Sequence, residues 1–214
     1  MITDAPFQPR LDVLPEPQQR VWADLTQVPG MFVLYGGTAL ALHLGHRQSV
    51  DFDFFGGDNF DPGELAAGLP LLADAQITRQ SPNTLTVLVD RGGPVKLSFF
   101  GLPRLARLLP PHVAQDNGLQ VASMLDLAGT KAAVVQRRAE AKDYIDLDAI
   151  LISRRVTLAN ALAAASAIYG EAFNPLLTLK ALTSFDDGDL SRLPDAVQRR
   201  LTAAAAAIDP AALP

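Results

Sequence analysis

Leu34 to Phe55 reads LYGGTALALHLGHRQSVDFDFF, in which two strand patterns, two adjacent glycines and a helical pattern follow one another almost without interruption. Met31 to Tyr35 is a short apolar run bounded by glycines, the mark of a buried strand. TALALHLG then places Leu40, Ala41 and Leu44 on one helical face, and Gly45 supplies the stop. SVDFDFF alternates polar and apolar residues with period two. Val50, Phe52 and Phe54 are therefore expected to face a core, while Asp51 and Asp53 project together from the opposite face. A strand, a turn, one helix and a returning strand make the start of a mixed α/β sheet.

The rest of the chain extends that layout. PEPQQRVWADLTQVPG reads as a leading helix opened by prolines and closed by Pro29-Gly30. NFDPGELAAGLPLL reads as a loop and a short helix. AQITRQ, TLTVLVD and PVKLSFF read as three strands, the last two joined by a turn at Arg91-Gly92-Gly93-Pro94. Gly101 to Gly118 is rich in Pro and Leu without a clear period, which predicts an irregular connection. From about Ser123 onward the patterns are helical. The expected fold is a small mixed sheet flanked by helices over residues 1–118, followed by a helical region over 119–214.

Composition limits the function classes. The chain has 214 residues, 49% of them apolar, enough for a sizeable core. No cysteine is present, so disulfides, thiolate metal sites and cysteine nucleophiles are excluded. The stretch Val156–Gly170 is uncharged but too short and too polar for a membrane span. MITDAPFQPR has neither a basic start nor an apolar segment, so no secretory signal is expected and the cytoplasm is the expected location. A net charge of −5 confines any nucleic-acid contact to a local patch. Arg104, Arg107, Lys131, Arg137, Arg138, Lys142, Arg154 and Arg155 form the one candidate; a set of solvated helix faces is the alternative reading.

Two carboxylates on one strand face repel unless a cation lies between them. Mg²⁺ takes oxygen ligands, commonly one or two carboxylates together with phosphate oxygens. Gly36-Gly37-Thr38 sits where a strand turns into a helix. Its bare backbone can approach a phosphate, and the helix start offers N–H donors and a positive dipole end. Glycines and aspartates in this order describe a site for a metal-bound nucleoside triphosphate. His43 and His46, within and just after the helix, read as packed or solvated side chains, and SFDDGDLS reads as a turn and helix cap because it lacks a calcium loop's full spacing.

GGTALALHLGHRQSVDFDFF resembles the signature of the AbiEii/AbiGii-type toxin nucleotidyltransferases, within the polymerase-beta-like superfamily. DLAGTKAAVVQRRAEAKDYIDLDAIL and NPLLTLKALTSFDD are similar to later segments of the same family, so the resemblance covers roughly residues 31–187. It implies that Gly36, Gly37 and Thr38 handle the triphosphate, that Asp51 and Asp53 bind Mg²⁺, and that Arg47 and Ser49 shape the loop before the metal strand. Lys131 would contact phosphate, and Asp143 or Asp146 would complete the site; for the two aspartates, capping of the helix at KDYIDL is the plain alternative. A tRNA end or a protein side chain would be the acceptor, and a separate antitoxin protein the partner.

One position departs from the pattern. The family commonly carries a third carboxylate on the strand that here reads VKLSFF, and Ser98 stands in its place. A serine hydroxyl neither binds metal well nor accepts a proton at neutral pH, and Asp90 lies before the hairpin turn. That loss is compatible with a nucleotide- or partner-binding module without catalysis. A nucleotidyltransferase acting on small molecules, which shares the glycine–aspartate arrangement but needs no basic helical face, is the other alternative.

Overall fold

The computed structural model describes residues 7–212, so Met1–Pro6, which begin the stretch read for a secretory signal, lie outside it. The chain divides into two compact units. One comprises residues up to Leu105 together with Pro110–Ala122, the other Ala106–Leu109 together with Ser123 onward. Among the described residues no helix is long and apolar enough to cross a membrane.

The first unit is built on a seven-stranded mixed sheet. Its strands are β1 (Phe32–Tyr35), β2 (Phe52–Gly56), β3 (Gln76–Ser81), β4 (Thr84–Asp90), β5 (Pro94–Gly101), β6 (His112–Val113) and β7 (Gln120–Val121). Their order across the sheet is β3-β4-β5-β2-β1-β7-β6. Among the described residues three α-helices accompany it: α1 (Glu16–Asp24), α2 (Gly36–Leu44) and α3 (Pro62–Gly68). The strand reading of MFVLY and the hairpin turn at 91–94 hold to within a residue or two. The helix read over PEPQQRVWADLTQVPG is α-helical only to Asp24 and continues as a 3₁₀ turn over Leu25–Gln27. That turn is closed by Asp90, whose Oδ1 accepts from the backbone N–H groups of Gly92 and Gly93. Asp90 is thereby a turn residue.

The centre of the sheet is β2, antiparallel to β1 and parallel to β5. Phe52 and Phe54 are fully buried, as period two requires, and Phe54 stacks on Phe99 with ring centroids 5.0 Å apart. Val50 departs from the expectation. It precedes the strand and is 49% exposed, because the pleat that would turn it inward begins only at Phe52.

Gly101–Gly118 is less irregular than its composition predicts. His112–Val113 pairs with Gln120–Val121, and Val121 lies beside Leu34 on β1, so two short strands extend the sheet. Their brevity hides them from pattern reading, since two residues cannot show a period. The sheet unit therefore runs on to Ala122, a little past residue 118.

The second unit is helical: α4 (Met124–Val134), α5 (Ala141–Ser153), α6 (Leu158–Tyr169), α7 (Pro175–Ala181) and α8 (Asp195–Ala206). Ser123 caps α4 by accepting from the Asp126 backbone N–H. Asp126, fully buried, accepts from the backbone N–H groups of Leu108 and Leu109, which ties that short segment to this unit. Asp148 on α5 and Arg200 on α8 form a bidentate ion pair at 2.8 and 2.6 Å. Gly129 on α4 lets α6 approach closely: a Cβ there would lie 2.9 Å from Ile168 Cδ1 and 3.0 Å from Ala164. Gly129→Leu should overpack this helix pair and cost ~1–3 kcal/mol, read as a lower melting temperature. An unchanged melting temperature would show that α4 and α6 can separate freely.

Candidate active site

Strand register sets Asp53 beside the glycine turn, and a hydrogen bond from the Thr38 hydroxyl to the Asp51 carbonyl holds Asp51 near it. Tyr35, the last residue of β1, lies opposite Asp53 on β2, so the chain leaving β1 turns into α2 beside that carboxylate. Gly36 adopts φ +73, and a Cβ on it would come within 2.9 Å of Asp53 Oδ2. Both facts demand glycine. A Cβ on Gly37 would collide with the Arg47 guanidinium and would lie 3.4 Å from Ser49 Oγ. The pair of glycines thus lets the backbone pass between the Asp53 carboxylate on one side and the Arg47–Ser49 loop on the other.

Thr38 is buried, and its hydroxyl lies 2.8 Å from Ser49 Oγ and also hydrogen-bonds the Asp51 carbonyl oxygen. The side chain therefore pins the loop that delivers Asp51 to its place. Arg47 donates to the Gln48 carbonyl at 2.8 Å, which bends the same loop. Tyr35 offers no side-chain cap to α2, and the first-turn N–H groups of a helix have no partners within it. An anion beside Gly36-Gly37 would meet those donors and the positive end of the helix dipole.

β5 supplies the third wall of this face. Ser98 lies in register with Asp53 on one side and with Thr86 on the other, and it is buried. Lys96, two residues earlier and on the same face, places Nζ 2.7 Å from Asp51 Oδ2. Both partners are about 40% exposed at the side chain, at 41% and 39%. Among the described residues there is no group of three or more metal-ligating side chains, in keeping with serine at the third position. Asp51 and Asp53 are oxygen donors on one half-open face, and the Lys96 ammonium sits against Asp51. That donor set fits one hard divalent ion.

Lys131, Asp143 and Asp146 meet within the helical unit. The Lys131 ammonium on α4 lies 2.8 Å from Asp143 Oδ1 and 2.6 Å from Asp146 Oδ2 on α5, with both carboxylates fully buried. Arg138 donates to Asp143 as well, Nε to Oδ2 at 2.7 Å. Asp143 does lie in the first turn of α5, where an acid favours the helix dipole, whereas Asp146 lies beyond that turn. The start of α5 is capped from a distance by Asp189, which accepts from the Ala141 N–H at 2.6 Å and belongs to the SFDDGDLS segment read as a cap. His43 is a packed side chain as expected: its Nε2 lies 2.9 Å from the Ala122 carbonyl, and its ring packs against Phe7 and His112.

The family model of the AbiEii toxin, a nucleotidyl transferase of type IV toxin–antitoxin systems, matches residues 20–214. The chain belongs to the AbiEii family. A curated relative, the uncharacterized protein aq_aa25 of Aquifex aeolicus (strain VF5), is 37% identical over 118 residues; the match covers 54% of this chain and 55% of that protein, so the chain spans about half the length of that relative. Two solved structures share the fold at 19% identity. A provisionally assigned nucleotidyltransferase from H. pylori superposes with a TM-score of 0.56 over 88% of this chain and 91% of its own. MenT4, the nucleotidyltransferase toxin Rv2826c of Mycobacterium tuberculosis H37Rv, does so with 0.58 over 91% and 83%.

For an AbiEii member, the sequence signature found the glycine turn, the metal-pair candidates and the lysine–aspartate cluster. Strand parity puts Lys96 on the face of Ser98 but does not foresee its ion pair with Asp51. Only the parallel register of β2 with β5 shows that Lys96 lies beside Asp51. The basic cluster is partly spent on local pairs. Arg138 and Lys142 both reach Glu140, and Arg137 lies over the Tyr169 ring at 5.7 Å.

Lys131 neutralises two buried carboxylates, so Lys131→Ala should destabilise the helical unit by ~3–5 kcal/mol. Burial acts to raise the Asp143 carboxyl, but the Arg138 hydrogen bond and the Lys131 charge outweigh it and hold Asp143 below its ordinary value. Its stabilising contribution is therefore complete above the unfolded carboxylate value, roughly pH 4, and is lost as pH falls through the lower folded value. Asp143→Asn should be less stable at neutral pH and lose less on acidification. Denaturant titrations at pH 7 and pH 3 check this, and parallel losses in variant and wild type would contradict it.

Proposed function

We propose that this protein is a toxin nucleotidyltransferase that uses Mg²⁺ to transfer a nucleotide from a nucleoside triphosphate to an acceptor hydroxyl, with an antitoxin protein as its partner. The observation that carries the reading is that Asp53 lies against Gly36 and that Thr38, in the first turn of α2, hydrogen-bonds the Asp51 carbonyl. In the reaction the acceptor oxygen bonds to the α-phosphorus, the bond to the pyrophosphate oxygen breaks, pyrophosphate leaves and the hydroxyl proton passes to a base. Bound Mg²⁺, held by Asp51 and Asp53, would neutralise charge on the phosphates. Gly36, Gly37 and the α2 N–H groups would receive the triphosphate, and Thr38, Arg47 and Ser49 would hold the loop that carries Asp51.

With Ser98 in place of an acid, this face lacks a third carboxylate to take the proton. Base assistance is worth typically ~10² to 10⁴ in rate, so its absence predicts slow transfer rather than none. Asp143 suits that task poorly, because two cations hold its carboxyl below the usual range. Catalytic roles for Lys131 and Asp146, which the resemblance implies, are part of this proposal and separable from their structural one. Lys131→Met with Asp146→Asn removes both charges together; a folded double variant that still transfers would leave the pair a purely structural role.

An RNA acceptor is favoured by a groove of about 330 Å³ in the helical unit whose lining includes Arg137, Arg138 and Lys180 against one acid, Asp187. Reversing Arg137 and Lys180 to Glu should weaken RNA binding and flatten its salt dependence on a log–log plot, by roughly 0.7 for each phosphate that is no longer neutralised. An unchanged slope would return these residues to solvent.

The whole reading is tested by incubating the protein with each α-labelled nucleoside triphosphate, Mg²⁺ and total tRNA. Label in RNA or in protein, abolished by Asp51→Ala and by Asp53→Ala with folding intact, is the expected result. Nucleotide binding without transfer to any acceptor would favour the non-catalytic module.

A further inference from the structure

Of the two carboxylates proposed to bind metal, Asp51 lies outside the sheet ladder. Asp53 is in register with Tyr35 on one side and Ser98 on the other, whereas the pairing of β2 with β5 begins only at Phe52. Val50, directly before Asp51, is 49% exposed, so its side chain anchors the loop weakly. A carboxylate on an unanchored loop makes a poor ligand, because ordering the loop on binding costs affinity.

Two side chains supply what the ladder does not. The Gln18 amide on α1 donates from Nε2 to the Val50 carbonyl at 3.2 Å, and the Thr38 hydroxyl on α2 bonds the Asp51 carbonyl. These carbonyls belong to the planar peptides on either side of the Asp51 Cα, so the two tethers together fix both backbone dihedrals of that residue. Lys96 meets the carboxylate itself, at 2.7 Å, and leaves the backbone to them. Gln18 is 5% exposed, and its Oε1 is buried without a hydrogen-bond partner among the described residues. Turning the amide over would set two acceptors against each other at Val50, so the contact decides its orientation. A buried unpaired acceptor costs about as much as one hydrogen bond contributes, which leaves Gln18 little net effect on stability. Resting on the nucleotidyltransferase reading above, we infer that Gln18 is a positioning residue of the metal site. It touches neither ion nor nucleotide, exchanges no proton, and directs the Asp51 carboxylate by holding the peptide before it.

The test is Gln18→Met in the full chain, a side chain of similar length and volume without the amide. Hydrogen exchange of the metal-free protein, followed by mass spectrometry, should quicken across residues 47–52 and stay unaltered across β4. Removing the tether and the unpaired acceptor together should leave the melting temperature within about 3 °C of the wild type. Mn²⁺ titrated in the presence of a non-hydrolysable nucleoside triphosphate, and read by electron paramagnetic resonance, should bind roughly tenfold more weakly than to the wild type. The Mg²⁺ concentration that half-saturates transfer should rise by the same factor, with a smaller fall in the rate at saturating Mg²⁺. Gln18→Leu should behave alike. Unaltered Mn²⁺ affinity in both folded variants would overturn the positioning role and leave the nucleotidyltransferase reading standing. Failure of both variants to fold would do the same, by making Gln18 a residue of the fold. A wild-type chain that binds triphosphate but no Mn²⁺ would overturn both.

Discussion

Two carboxylates on one strand face repel each other, and most of what surrounds Asp51 and Asp53 answers that repulsion. Asp53 lies on β2 and Asp51 directly before it. Asp51 meets Lys96 and Asp53 lies in register with Ser98, two residues apart on β5, so both carboxylates share that face. Turning Phe52 or Phe54 outward would expose a fully buried ring. Lys96 lies against Asp51. Gly36 brings backbone, without a side chain, up to Asp53. The start of α2 contributes partial positive charge beside the pair. Each of these draws a cation or a dipole toward the acids, and a triphosphate carrying a divalent ion fits the same field.

The helical unit solves a similar problem in the opposite way. Asp143 and Asp146 are fully buried, where unpaired charge would be prohibitive, and Lys131 and Arg138 neutralise them at hydrogen-bonding distance. Charge on the sheet face is half open to solvent and can exchange partners. Charge in the helical cluster is enclosed and can exchange few. The first arrangement suits a site that binds and releases ligands, and the second suits fixing the geometry of α4 against α5.

Much of this could be read from the residues. The strand–glycine–helix–strand order is written in local signals that need no tertiary packing: an apolar run, two glycines, a helical face and a period-two strand. Those signals located Gly36, Gly37, Asp51 and Asp53, and the register of β1 with β2 then brought them together. Family resemblance picked out Lys131, Asp143 and Asp146, which do meet, although the mutual neutralisation of the cluster depends on a distance between helices that no spacing encodes. β6 and β7 escaped notice because two-residue strands carry no period. Val50 misled because a period does not mark where its strand begins. The contact of Lys96 with Asp51 stayed hidden for another reason: it depends on the parallel pairing of β2 with β5, strands far apart in the chain and joined through β3 and β4.

The central claim is that Asp51, Asp53 and the Gly36-Gly37 turn hold a metal-bound nucleoside triphosphate. A crystal of the protein grown with Mn²⁺ and a non-hydrolysable triphosphate, measured at the manganese absorption edge, tests it most directly. The account predicts an anomalous peak within coordination distance of the Asp51 and Asp53 carboxylates, with the triphosphate lying against the first turn of α2. A triphosphate bound elsewhere, or bound at this turn with no anomalous peak beside either carboxylate, would contradict it.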